Sequence, residues 1–376
     1  MTDKTEISRR SFLRKTALAG GAAAGATLAA PAVLAQAPIV VKMQTSWGAS
    51  NIWDEFAKDY ARRVEEMSNG RLKVDVLPAG AVVAAFQVLD ACNDGVLDAA
   101  HTVPVYWYGK NKAASLFGTG PVFGGSATTM LSWFYAGGGA ELYKELTQDI
   151  MGLDVIGFYG FPMFAQPFGW FKKEVNTVAD LQGLKYRTVG LAADLMAKIG
   201  MSVAQLPGGE IVPAMERGVI DAFEFNNPSS DKDFGAQDVA KHYYLSSYHQ
   251  ASESFEFLFS KSFYEDLDPD LQAILKYGVE AVSTANTAKA MDRYSTDLRW
   301  LQEKAGVTVH RTSKEILDAQ LKAWDELIPE LEKDPFMKKC LDSQRAWVER
   351  VTYYELMNAP DYALAYEHYF PGRLAL

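Results

Sequence analysis

Two short segments, more than a hundred residues apart, carry the same signature. Leu77-Pro78-Ala79-Gly80 precedes a helical stretch ending at Gly95-Val96-Leu97-Asp98-Ala99, and Leu206-Pro207-Gly208-Gly209 precedes one ending at Gly218-Val219-Ile220-Asp221-Ala222. Each reads as strand, Pro-Gly turn, helix, glycine stop and an apolar-Asp-Ala start to the next strand. Either half of the signature recurs by chance, but the same order in both halves of the chain points to two similar α/β lobes. Around the first copy, Ile39–Ser46 is β-rich. Asn51–Ser68 then carries Trp53, Phe56, Tyr60, Val64 and Met67 on one helical face, with Asn51 as N-cap and Gly70 as stop. Leu72, Val74 and Val76 alternate as a strand. Strand–helix–strand at this spacing is a βαβ unit, which implies a largely parallel sheet.

The later chain turns helical. Ser254–Ser260 has strand character, and Asp268-Pro269 opens a long helix with Asp capping and Pro in the first turn. Ser313–Glu332 is a further helix, with Leu317, Leu321, Trp324, Ile328 and Leu331 expected on its buried face. Asp334-Pro335 opens the last long helix, whose stripe of Phe336, Cys340, Trp347, Val351 and Tyr354 must be covered, either by the lobes or by a partner subunit.

Charge and composition exclude whole classes of function. Against 37 Lys+Arg stand 47 Asp+Glu, a net charge of −10, which argues against nucleic acid or an anionic membrane surface as main partner. The 376 residues suffice for two to three domains, and 8 Trp, 18 Tyr and 20 Phe leave aromatics over to line a pocket. Only Cys92 and Cys340 occur, so neither a disulfide scaffold nor a Cys-rich metal site is available. Both read as inert core thiols, and a disulfide between them is the alternative. At the start, Arg9-Arg10 and Phe12-Leu13 precede the apolar run Thr16–Leu34, and cleavage after Ala35 or Ala37 is expected. Residues 1–35 resemble a twin-arginine export signal, giving an acidic periplasmic product. A membrane anchor is the alternative, disfavoured because the run is Ala/Gly-rich and contains Pro31.

Familiar catalytic patterns are missing. His101, His242, His249, His310 and His368 form no H-E-x-x-H spacing, and no G-x-S-x-G, P-loop or G-x-G-x-x-G occurs. What remains is polar residues at aromatic strand ends: Gln166 within Gly160–Phe171, Arg187 closing Leu184–Thr188, and Glu224 within Asp221–Pro228. The C-terminal ends of strands in an α/β sheet are where small ligands bind. A guanidinium fork suits a carboxylate, although Arg187 taken alone reads more readily as a surface or structural ion pair.

Over essentially the whole mature chain, these segments resemble the solute-binding proteins of TRAP transporters, the DctP family. The resemblance is carried by Gly70-Arg71-Leu72-Lys73-Val74, by both parts of the first signature, and most specifically by Asp180-Leu181-Gln182-Gly183-Leu184-Lys185-Tyr186-Arg187. Within the family, Tyr106-Trp107-Tyr108-Gly109-Lys110, Gln166 and Glu224-Phe225 are similar to the 2-oxoacid-binding subgroup. The resemblance implies a two-lobed α/β fold with hinge strands near residues 160 and 248. One lobe would comprise residues 36–160 and 248–295, the other 161–247 and 296–332, with 333–376 a C-terminal helical extension. It also implies that Arg187 grips the solute carboxylate, with Tyr106 and Asn227 lining the pocket. Gln166, Glu224 and the Phe225 carbonyl would hold Na⁺ or Ca²⁺, with Gln250 as a further candidate ligand. Two departures stand out: Phe225 replaces the usual Trp, and Gln250 occurs where Glu is common. The implied function is a receptor, not an enzyme, that delivers a small 2-oxo or 2-hydroxy monocarboxylate to a TRAP membrane permease, with a homodimer through the last helix as a further expectation. The rival readings are a receptor for an aromatic, dicarboxylic or sugar acid, and an exported cofactor enzyme.

Overall fold

The computed structural model describes residues 37–374, so the expected export signal lies outside the described residues. The strands along the first half are β1 (Ile39–Thr45), β2 (Leu72–Leu77), β3 (Ala99–Thr102) and β4 (Val155–Met163). Then follow β5 (Gly169–Phe171), β6 (Lys185–Arg187), β7 (Ser202–Ala204), β8 (Ala222–Phe223) and β9 (His242–Leu245). The last are β10 (Glu253–Ser260) and β11 (Thr308–Arg311). They form a five-stranded sheet, β2-β1-β3-β10-β4, and a six-stranded sheet, β7-β6-β8-β5-β9-β11.

The repeated signature is the seed of both sheets. β2-β1-β3 and β7-β6-β8 are parallel trios of identical order, and each continues into an antiparallel neighbour, β10 or β5. Gly95 and Gly218 both sit at φ +68°, the left-handed conformation that ends the short helices Val88–Asn93 and Ile211–Glu216. The Asp of each signature then pins the incoming strand to the middle one. Asp98 N–H donates to Lys42 O at 3.0 Å while its carboxylate accepts from Lys42 N–H at 2.8 Å. Asp221 does the same with Lys185, at 2.8 and 3.4 Å.

The chain crosses from the first sheet to the second through 164–168 and returns through 246–252, and Gln166 N–H donates to Gln250 O at 3.0 Å to tie these crossovers together. Just before the first crossover, β4 bulges opposite Ser254/Phe255, with Phe161 at φ +58° and its N–H donating to Ser283 Oγ.

Helix α1 (Ile52–Met67) is capped by Asn51, which accepts from Trp53 N–H at 3.0 Å, and buries Trp53, Phe56, Tyr60 and Val64. Met67, expected on that face, is 44% exposed in the last turn. Helix α2 (Pro228–Asp233) follows β8, and α3 (Pro269–Glu303) packs along α1, β4 and α2. Ion pairs fasten α3 at both ends of this contact: Lys289 to Glu55 of α1, and Asp297 to Lys232 of α2 at 2.6 Å. Asp268 precedes α3 as expected, but its side chain makes no capping bond.

Two expected helix faces are offset. Helix α4 (Lys314–Leu331) buries Ile316, Gln320, Ala323, Trp324, Leu327 and Leu331, leaving Leu321 exposed. Gln320 belongs inside because its Oε1 accepts from Tyr248 N–H at 2.7 Å and Ser247 Oγ at 3.0 Å, clamping the second crossover. Helix α5 (Pro335–Asn358) buries Met337, Cys340, Leu341, Gln344, Val348 and Thr352, whereas Tyr354, expected in its buried stripe, is 66% exposed. That face braces the first part of the same chain: Gln344 Nε2 donates to Leu116 O at 2.7 Å and Trp133 Nε1 to Ser343 Oγ at 3.0 Å. Helix α6 (Tyr362–Tyr369) follows and buries none of its residues. Cys92 and Cys340 are both buried and free, which removes the disulfide alternative, and burial pushes the Cys340 thiol up to about 12. Among the described residues, no helix is long and apolar enough to cross a membrane.

Candidate functional site

The ends of β6 and β8 lie side by side, with Arg187 in register with Phe223 and Glu224 N–H donating to Arg187 O at 3.2 Å. That pairing delivers both charged side chains to one point. Arg187 Nη1 donates to Glu224 Oε1 at 3.0 Å and to the Glu224 carbonyl at 2.7 Å, and Nε donates to Leu206 O at 2.8 Å. The Arg187 side chain is 1% exposed and that of Glu224 0%, so this is a fully buried ion pair. The first crossover brings Gln166 onto it: Nε2 donates to Glu224 Oε2 and to the Phe225 carbonyl, and the Phe225 ring lies 5.7 Å from the guanidinium carbon.

Burial pushes the Glu224 carboxyl up to about 7, with Arg187 pulling the other way. Gln166 Oε1 and Gln250 Oε1 are buried without hydrogen-bond partners. A half-turn of the Gln166 amide exchanges Nε2 for Oε1 and presents an oxygen, in place of a donor, to Glu224 and Phe225. The Gln166 amide oxygen, the Glu224 carboxylate and the Phe225 main-chain carbonyl are then available together, all hard oxygens that suit Na⁺ or Ca²⁺. Among the described residues no cluster of three His, Cys, Asp or Glu exists to hold a softer metal.

The model of the bacterial extracellular solute-binding protein family 7, DctP, matches residues 43–334. The chain belongs to this family. A monocarboxylate 2-oxoacid-binding periplasmic protein of Nostoc sp. is 32% identical over 330 residues, 87% of this chain and 88% of the relative. A TRAP periplasmic solute-binding protein of Pseudoalteromonas atlantica, solved with sodium and pyruvate, is 31% identical with a TM-score of 0.80, covering 88% of this chain and 99% of its own. Its counterpart from Colwellia psychrerythraea, solved with calcium and pyruvate, is 32% identical with a TM-score of 0.80, covering 89% and 100%. A third, from Bordetella bronchiseptica, is 28% identical with a TM-score of 0.81 over 89% and 98%, and is a mixed-occupancy dimer with calcium and picolinate in one site. The two sheets are thus the two lobes of a TRAP receptor.

The remaining expected site residues are placed unevenly around this centre. Tyr106, in the 3-10 turn Pro104–Trp107, packs on Phe86 and Trp47, and its phenol is raised by burial while the Arg187 charge opposes the shift. Gln250 is buried with Nε2 donating to Val189 O at 3.3 Å. Asn227 caps α2 instead of facing the cluster: Oδ1 accepts from Ser229 and Ser230 N–H at 3.1 and 2.9 Å, and Nδ2 points at Met163 Sδ.

Sequence reasoning missed Asn226 and Glu253. Asn226 Oδ1 accepts from Trp53 Nε1 of the first lobe, and Nδ2 donates to the Phe225 carbonyl at 2.5 Å. Glu253, the first residue of β10, is 3% exposed and brings a second carboxylate toward the same carbonyl. Burial raises this carboxyl well above its ordinary value, and the Glu224 charge adds to the shift. All eight residues of β10 are buried, so no alternation distinguishes its two faces in sequence. An acid in a strand packed on both faces was the available signal.

Proposed function

We propose that this receptor binds a small 2-oxo or 2-hydroxy monocarboxylate such as pyruvate or lactate, together with Na⁺ or Ca²⁺, and delivers it to a TRAP membrane permease. The observation that carries this reading is the convergence of Gln166, Glu224 and the Phe225 carbonyl on the buried Arg187, with the Gln166 amide oxygen left without a partner among the described residues. The pyruvate-bound neighbours with sodium and with calcium support the same pairing of ion and solute. In this reading, Arg187 turns part of its fork to the solute carboxylate and the protein oxygens hold the cation. The carboxylate and the adjacent carbonyl or hydroxyl oxygen of the solute complete the cation's shell. Two negative charges about 5 Å apart at an effective dielectric of about 20 repel by roughly 3 kcal/mol, and the cation converts that repulsion between Glu224 and solute into a bridge. The work is binding and lobe closure, without bond making.

The rest of the assignment follows from this reading. Residues 36–160 with 248–295 and 161–247 with 296–332 act as the moving lobes, hinged at the tied crossovers, while 333–376 is the C-terminal extension. Export uses the twin-arginine route, and the receptor works in the periplasm. Homodimerisation uses the far end of α5 with α6, where Tyr353, Tyr354, Leu356, Met357, Tyr362 and Leu364 are exposed together. The deciding experiment is calorimetric titration of pyruvate after chelation and desalting into a bulky organic-cation buffer, repeated with NaCl or CaCl₂ restored. Solute affinity is expected to rise at least tenfold with the ion, and the ion's affinity by the same factor with solute. Equal pyruvate affinity with and without the ions removes the metal. Picolinate or a dicarboxylate binding in place of pyruvate overturns the solute class.

A further inference from the structure

Glu253 has no basic partner within ion-pair distance among the described residues, although it is 3% exposed. Its one hydrogen bond comes from Asn226 Nδ2 at 3.5 Å, and that same nitrogen donates to the Phe225 carbonyl at 2.5 Å. One amide group therefore separates the Glu253 carboxylate from an oxygen assigned to the cation. The amide cannot turn to relieve this: Asn226 Oδ1 is engaged by Trp53 Nε1 and Ser230 Oγ, and Asn226 N–H by Asp231 Oδ1 at 3.1 Å. The charged groups that face Glu253 are Glu224 and Arg187. Its other polar neighbours are the phenols of Tyr106 and Tyr294, the latter buried with no hydrogen-bond partner among the described residues.

We infer that Glu253 sets the charge of the cation this receptor accepts and makes it a divalent-ion receptor. The inference rests on the cation site proposed above and adds a residue outside its ligand set. With Arg187, Glu224 and a monocarboxylate solute alone, a monovalent ion brings the buried cluster to neutrality. Adding Glu253 in the ionised form that a cation beside it favours leaves one negative charge uncompensated with Na⁺ and none with Ca²⁺. At about 6 Å and an effective dielectric of about 20, each unit of cation charge gains roughly 100-fold in affinity from the carboxylate. Removing that carboxylate therefore costs Ca²⁺ about twice as many factors of ten as Na⁺.

The test is titration of the chelated full-length mature protein with CaCl₂ and with NaCl, each ion alone, for wild type, Glu253→Gln, Glu253→Asp and Glu224→Gln. Wild type is expected to prefer Ca²⁺ by at least 100-fold. Glu253→Gln, which keeps an acceptor for Asn226, should lower the Ca²⁺:Na⁺ affinity ratio at least tenfold, and Glu253→Asp should retain most of it. A ratio in Glu253→Gln within about twofold of wild type overturns the inference and makes Glu253 a structural acid. Wild type preferring Ca²⁺ by less than tenfold does so too, even if the Gln variant does not fold. Glu224→Gln separates the two levels of argument. If it weakens both ions while Glu253→Gln leaves their ratio unchanged, the cation site stands and only this role of Glu253 falls. If wild type takes up neither ion, the cation site falls and this inference with it.

Discussion

Replacing Arg187 with Ala tests the centre of the site in two ways at once. The guanidinium is 1% exposed and supplies donors to the Glu224 carboxylate, the Glu224 carbonyl and Leu206 O. No second base pairs with Glu224 among the described residues. Breaking a buried pair by deleting one partner costs about 3–5 kcal/mol, since the other charge is left without compensation. Truncating a charge-assisted anchor costs about 2–5 kcal/mol of solute affinity, or roughly 30-fold at the low end. Arg187→Ala should therefore unfold at distinctly lower urea at pH 8 and bind pyruvate at least 30-fold more weakly. Because burial holds Glu224 up to about 7, the stability penalty should shrink at pH 5, where this carboxyl is protonated with or without Arg187. The double variant Arg187→Ala/Glu224→Gln removes both charges and should regain much of the stability but none of the binding. Arg187→Lys should fall between, since one ammonium cannot reproduce the fork that spans Leu206 and Glu224. Pyruvate affinity within threefold of wild type in Arg187→Ala refutes the anchor. Stability equal to wild type at pH 8 refutes the uncompensated-charge reasoning.

Glu256 offers a stability prediction away from the site. Among the described residues its carboxylate accepts only from Trp107 Nε1 at 3.2 Å and Tyr143 OH at 2.6 Å, and burial holds its pKa up to about 7. A raised carboxyl gives stability at low pH that is lost as pH rises through the folded value, so Glu256→Gln should gain on wild type between about pH 5 and 8, by up to about 3 kcal/mol. The difference cancels His101 and His249, whose burial-lowered values run the other way, and identical urea midpoint shifts at both pH values would contradict it. Light scattering at micromolar protein should give the dimer mass, and Tyr354→Glu/Leu364→Glu should give the monomer with solute affinity intact. A wild-type monomer mass removes the dimer.

The parts of this fold legible in the sequence were those governed by local rules. Glycine stops and the paired Asp98 and Asp221 mark the same strand joint in both lobes, and the same order of turn, helix stop and Asp-Ala exposed the duplication. Arg187 and Glu224 could be singled out together because they stand at the ends of short strands, and the structure pairs them there. Reading failed where a polar residue is buried by a distant partner. Gln320 rotated the expected face of α4 because its target, the 246–252 crossover, is 72 residues away from it in sequence at Tyr248. Asn227 was expected in the pocket only through the family resemblance, and the start of α2 uses its oxygen as a cap. Glu253 stayed hidden because β10 is covered on both faces and carries no alternation to betray a misplaced acid.

The two amides assigned to the cation belong to neither sheet. Gln166 and Gln250 sit on the two crossovers, and a main-chain bond of 3.0 Å joins one residue to the other. The opposing lobe enters through Trp53, whose indole N–H reaches Asn226 beside the Phe225 carbonyl. In the proposed reading, an ion drawn to Glu224 and Phe225 on the second lobe pulls on the tied crossovers, which are the proposed hinge. The further acid, Glu253, comes from β10 of the first sheet. At 3% exposed, an ionised Glu253 is a buried charge that must be matched. Closure without an ion leaves two carboxylates and one guanidinium in the same dry space, and closure with the ion but no solute leaves its shell incomplete. Only the ternary assembly satisfies every group, which is the thermodynamic condition for a receptor that closes on its cargo and not on an empty cleft.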